Sequence, residues 1–143
     1  MIEARKAMAD TFFMYQKAHS YHWNVEGIHF SQFHDFFGEL YQELFDAVDP
    51  FAEELRALGE YAPRNVEEMY DDKSIDCKNQ ATNAKEMVSD LLQTNQQVIN
   101  SLNILFKELE SKDEQGFMDF VASRIDKHKK HGWMLRSFLK DGE

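Results

Sequence analysis

One cysteine, two prolines and six glycines are all that the 143 residues contain of these types, and β-branched residues are sparse. Each scarcity removes a class of structure. A single thiol, Cys77, can neither close an intrachain disulfide nor build a cysteine-based zinc site, so it reads as a reduced bystander. The shortage of helix breakers and β-branched residues points to a predominantly helical fold. No apolar run approaches the ~20 residues of a membrane span. The first residues carry charges at Glu3, Arg5, Lys6 and Asp10 in place of a signal peptide's apolar stretch, so a cytoplasmic location is the default expectation. Basic charge is scarce as well: 16 Lys and Arg against 26 Asp and Glu give a net charge of −10. Phosphate binding needs a basic surface, so nucleic acid is a poor partner. Lys127, Lys129 and Lys130 form the one basic run, and they read as the solvated end of a helix, near the negative pole of its dipole.

What is present is apolar periodicity. A first segment, from about Ile2 to Trp23, has apolar groups at Ile2, Met8, Phe12, Tyr15 and Ala18, and Gly27 then marks a break. A second steps by three or four through Phe30, Phe33, Phe37, Leu40, Leu44, Val48, Phe51, Leu55 and Leu58, with Ser31 as its expected N-cap and Gly59 as its stop. Pro50 lies inside this stripe and predicts a kink between Asp46 and Pro50. The polar stretch from Ala62-Pro63 to Lys73 suits a linker carrying a short helix. A third helix is expected from about Ala81 to Ser111, on Met87, Leu91, Val98, Leu102, Leu105 and Leu109. Lys112 to Gly116 is a turn, and a fourth helix runs from Phe117 to Leu139 on Phe117, Val121, Ile125, His128, Leu135 and Leu139. Residues 1–143 therefore read as a single all-α domain. It is a ferritin-like four-helix bundle with a short helix in the long crossover between helices two and three.

The histidines give this bundle a possible chemistry. An internal di-iron site needs a Glu-x-x-His pair on each of two helices. The only such tetrad, Glu26 to His29, contains Gly27 and falls in a break, so an internal site is not expected. A second set lies along helix two. Asp49 and Glu53 are four apart and share a face. His34 is fifteen residues earlier, ~22 Å away along the axis, so one straight helix cannot bring all three to one ion. Two antiparallel copies about a two-fold axis near residue 41 do bring them together, and His22 folds back beside His34 across the Gly27 turn. Two imidazoles and two carboxylates suit Fe(II) or Zn(II) better than Mg(II) or Ca(II). The same residues also read as ordinary solvated polar positions, and spacing alone leaves both readings open. His128 and His131 read as packed or solvated, His19 and His29 as solvent-facing or neighbours of the ligands, and Met118 and Met134 as core.

Several of these residues recur together in a known family. The run His22-Trp23-Asn24-Val25, then Gly27, Phe30, His34, Asp49 and Ala52-Glu53, resembles the Dps mini-ferritins. So does the tail, with Asp126, His128-Lys129 and Trp133-Met134-Leu135-Arg136, and the resemblance extends to about Leu139. It implies a hollow homododecamer that oxidises Fe(II), preferentially with hydrogen peroxide over dioxygen, and stores the iron as a ferric mineral. His22 and His34 would then ligate iron from one subunit, and Asp49 and Glu53 from its two-fold partner. Trp23 would stand beside the site and absorb stray oxidising equivalents. Glu110, Glu114 and Asp119 fall where the family lines its three-fold iron-entry pores; they also read as solvated acids around a turn.

Two features depart from the family. Four residues after the second histidine, where the resemblance leads one to expect a carboxylate, stands Gly38; Glu39 is rotated about 100° away. The lysine-rich N-terminal tail through which many members bind DNA has no counterpart before the first helix, so DNA binding is not expected. The competing reading is a helical shell or assembly module in which iron oxidation is weakened or lost.

Overall fold

Small residues decide how the first helix packs. In the computed structural model, which describes residues 1–140, α1 (Ile2–Asn24) buries Ala4, Ala7, Met8, Thr11, Met14, Ala18 and Tyr21 along one face. Ile2 is 79% exposed, and Phe12 and Tyr15 are half-buried. The core face is therefore rotated from the one that the large apolar residues predict, with only Met8 and Ala18 of that set fully inside. Alanines at Ala4, Ala7 and Ala18 let α1 lie close against two neighbours, α2 and α4.

Helix α2 (Phe30–Ala57) follows its stripe closely, with Phe37, Leu40, Leu44, Phe51 and Leu55 buried. Phe30, at 44% exposure, lies outside the core. The helix runs on through Pro50 as one element. Its N-cap is His29, without a side-chain cap, and not Ser31: the Phe30 amide bonds the Gly27 carbonyl, so the turn at Gly27 (φ 119°) starts the helix earlier. At the other end Gly59 (φ 91°) sits in the left-handed region that favours glycine, with Gly59 N–H on Arg56 O and Glu60 N–H on Leu55 O. That pair of bonds is a Schellman stop.

The crossover carries α3 (Val66–Asp72), and it is pinned to α1 by ionic hydrogen bonds. Arg5 donates to Asp72 (3.1 Å) and to the Tyr61 carbonyl (3.0 Å). Asp10, fully buried, accepts from Ser74 N (2.7 Å), Ser74 Oγ (2.6 Å), Ile75 N (3.2 Å) and Ser101 Oγ (2.7 Å). Helix α4 (Ala84–Ser111) starts three residues later than its periodicity predicts. Asn83 accepts from Glu86 N, and Glu86 accepts from Thr82 N and Oγ1, a capping box that fixes the start. A tight turn then leads into α5 (Gln115–Leu139), which buries Phe117, Val121, His128, His131 and Leu135. The described residues thus form an all-α ferritin-like bundle with a short crossover helix.

The middle of that bundle is polar. Glu43 of α2 receives two hydrogen bonds from Arg124 and one from His131 Nε2 (2.7 Å). Arg124 NH2 also approaches His128 Nε2 (3.4 Å), and His128 exchanges bonds of 2.8 Å with Asn95 through its Nδ1 and its carbonyl. His128 and His131 are packed, as one of their two readings has it. Met118 and Met134 are only half-buried, Met134 lying with Trp133 and Phe138 along an outer groove.

Candidate metal centre

The turn at Gly27 folds the end of α1 back on the start of α2 and sets His22 against His34. Their rings stack with centroids 3.8 Å apart and planes 19° apart. Each Nδ1 lies 2.7 Å from the other residue's backbone carbonyl oxygen. A carbonyl oxygen only accepts, so each Nδ1 carries hydrogen. In the neutral rings the Nε2 lone pairs are then left for another partner, which is how ligating histidines are normally held. Phe30, one turn before His34, also stacks on His34, at 4.9 Å.

A second aromatic group adjoins the pair. His19 stacks on Tyr41 (3.9 Å, 10°) and leans on Trp23 (4.0 Å), while Tyr15 Oη lies 3.1 Å from His19 Nδ1. Burial, and then the neighbouring His22, lower the His19 pKa from its usual value. Trp23 is 62% exposed. His19 was legible only as a possible neighbour of the ligands; its stack on Tyr41 was missed, although the i, i+4 spacing of Tyr15 and His19 and the i, i+3 spacing of His19 and His22 mark one face of α1.

Asp49 and Glu53 stand exposed on the same helix as His34, several turns away. Within one chain they do not meet the imidazoles, and among the described residues no group of three His, Cys, Asp or Glu side chains converges on one point. Between His34 and Asp49, α2 exposes Asp35, Glu39, Gln42 and Asp46, spaced by three and four, so three carboxylates and one amide share a flank of the helix. Four of these positions, with His22, Gly38, Tyr41 and Glu43, line a groove of 730 Å³. Glu110 and Asp119 are exposed and Glu114 half-buried around the α4–α5 turn.

The comparisons with known proteins agree with this architecture. The family model of the ferritin-like domain matches residues 4–143. The chain is 32% identical to General stress protein 20U of Bacillus subtilis, over 94% of this chain and 92% of that one. It is 28% identical to DNA protection during starvation protein 2 of Bacillus anthracis, again over 94% and 92%. The crystal structure of a Dps protein from Bacillus brevis matches with a TM-score of 0.92 at 27% identity, covering 97% of this chain and 93% of that one. The chain belongs to the ferritin-like domain family and, within it, to the Dps group.

Proposed function

We propose that the chain is a mini-ferritin that oxidises Fe(II) with hydrogen peroxide at centres shared between subunits, and stores the ferric product inside a homododecameric shell in the cytoplasm. The observation that carries this reading is the reciprocal hold on His22 and His34, which leaves both Nε2 lone pairs for another partner. Asp49 and Glu53 of a two-fold partner would supply two negative charges to the bound cation, and Fe(II) accepts such a mixed nitrogen and oxygen set. In the reaction two Fe(II) ions give one electron each to a peroxide, which takes up two protons and leaves as two waters. Trp23, beside His22, would donate an electron when only one Fe(II) is at hand. The acidic flank of α2, and Glu110, Glu114 and Asp119 at the three-fold pores, would raise the local Fe(II) concentration. Each shell multiplies a net charge of −10, so it would not hold DNA at physiological salt.

Stopped-flow oxidation of Fe(II), with peroxide and then with dioxygen, tests the reading. Asp49→Ala or Glu53→Ala should abolish most of the fast phase while native mass spectrometry still reports the shell. Hybrid shells of His34→Ala and Asp49→Ala chains should regain part of it, because each mixed pair keeps one intact centre. Full activity in both single variants, or a stable monomer, would overturn the proposal. The second reading, a shell with weakened or absent oxidation, draws on Gly38, and it predicts slow oxidation in the unmodified protein.

A further inference from the structure

We propose that Gly38 is a positioning residue of this centre: its missing side chain is what lets the His22 ring lie against α2 and lock onto His34. The inference rests on the metal-centre reading above. Gly38 lies inside α2, and the glycines with positive φ are Gly27 and Gly59, so backbone freedom is not its role. Space is. A Cβ built at Gly38 would stand 3.1 Å from both Cε1 and Nδ1 of His22, whereas carbon contacts settle at ~3.5–4.0 Å. The ring edge it would press is the one whose Nδ1 donates to the His34 carbonyl. Pushing that edge away loosens the bond, the ring stack and the answering bond from His34 Nδ1 to the His22 carbonyl. A side chain at this position therefore requires the His22 ring to give by a few tenths of an ångström, at the edge through which this chain locks the pair.

The inference reverses the simplest expectation, that a carboxylate at position 38 would repair the centre. Co(II) titration of the assembled protein, followed by its visible absorption, separates the two. Gly38→Ala and Gly38→Asp should each bind Co(II) at least tenfold more weakly, with an altered spectrum. Gly116→Ala, at a helical glycine with nothing within 4 Å of an added Cβ, should leave both unchanged. Binding by Gly38→Asp as tight as in the unmodified protein would overturn the proposal, and so would an unmodified spectrum and affinity in Gly38→Ala. A thermal cycle with His22→Ala reads the contact without metal. Alanine for glycine inside a helix ordinarily stabilises, so Gly38→Ala should raise Tm when His22 is Ala and lower it when His22 is present. A rise in both backgrounds would refute the spacing argument. Failure of the unmodified protein to bind Co(II) would count against the metal centre itself, and the thermal cycle would still judge Gly38.

Discussion

Replacing Glu43 with Ala would leave a buried guanidinium and a buried imidazole at the floor of the groove along α2, without their carboxylate. The Arg124 and His131 side chains are 6% and 7% exposed, while Glu43, 26% exposed, lines the groove along α2, so water can replace only part of what the carboxylate supplies. Nor is there slack nearby: Arg124 Nε and His131 Nδ1 already lack partners. Removing one member of a fully buried ion pair costs about 3–5 kcal/mol. That is an upper bound here because Glu43 is partly exposed, and still a large share of the roughly 5–15 kcal/mol that holds a domain folded. With a urea m-value near 2 kcal/mol/M, the unfolding midpoint should fall by up to about 2 M. The assay is far-UV circular dichroism against urea, at one protein concentration, since subunit association contributes to the midpoint. Glu43→Gln keeps an acceptor and should lose less. Replacing the trio together, as Glu43→Leu, Arg124→Met and His131→Leu, should recover most of the loss, because no charge is then buried alone. A drop below about 0.5 M in Glu43→Ala would equate the pair with an exposed salt bridge and refute the reasoning.

The same network predicts acid sensitivity. Burial, followed by the Arg124 charge, holds the His128 pKa well below its usual value, so the folded state keeps it neutral while the unfolded chain protonates below about pH 6.5. Its contribution is present above that pH and is lost as pH falls through it; the Tm difference between pH 7.5 and 5.5 should shrink in His128→Gln, and an unchanged difference would contradict the assignment. Burial opposes ionisation of Glu43, but hydrogen bonds from His131 and Arg124, with the Arg124 charge, hold its carboxyl far below the usual range. Its stabilisation is therefore present above the ordinary glutamate range of ~4.3 and is lost only in stronger acid, later than that of His128. Asp10→Ala should cost about 3 kcal/mol and open the crossover between α2 and α4 to limited proteolysis, because four donors lose a charged acceptor; an unaltered digestion pattern would refute this. Asp119→Asn should slow iron uptake at low Fe(II) but not at saturation, and equal uptake at every concentration would return the residue to an ordinary surface acid.

The fold was legible wherever large apolar residues carry the pattern. Helix α2 shows it best: its stripe repeats without a gap and ends at a glycine whose positive φ the chain needs. Helix α1 hides its core face because alanines and Thr11 do the packing, and a count of bulky residues finds the margins instead. The start of α4 was written in the sequence as Thr82, Asn83 and Glu86, but the apolar period alone extends past such a cap. Pro50 lies within the α2 stripe, and the helix continues through it, as the unbroken apolar period implies.

The centre divides along the same line. Spacing across Gly27 was enough to bring His22 and His34 together, since a short turn between antiparallel helices leaves little choice. Spacing was silent about what holds them, because the carbonyls that accept from each Nδ1 belong to the backbone and have no signature. It was equally silent about the ion pair that occupies the middle of the bundle. Arg124 and His128 stand one turn apart on α5, and that guanidinium delivers to Glu43 a fixed positive charge. Three of that carboxylate's roughly four acceptor sites are taken, and the neighbouring guanidinium repels a second cation. In the proposed reading cation chemistry lies instead on the outer flank of α2, where one helix would carry both halves of a ligand set too far apart to use alone. The proposed dependence on a two-fold partner follows from that separation.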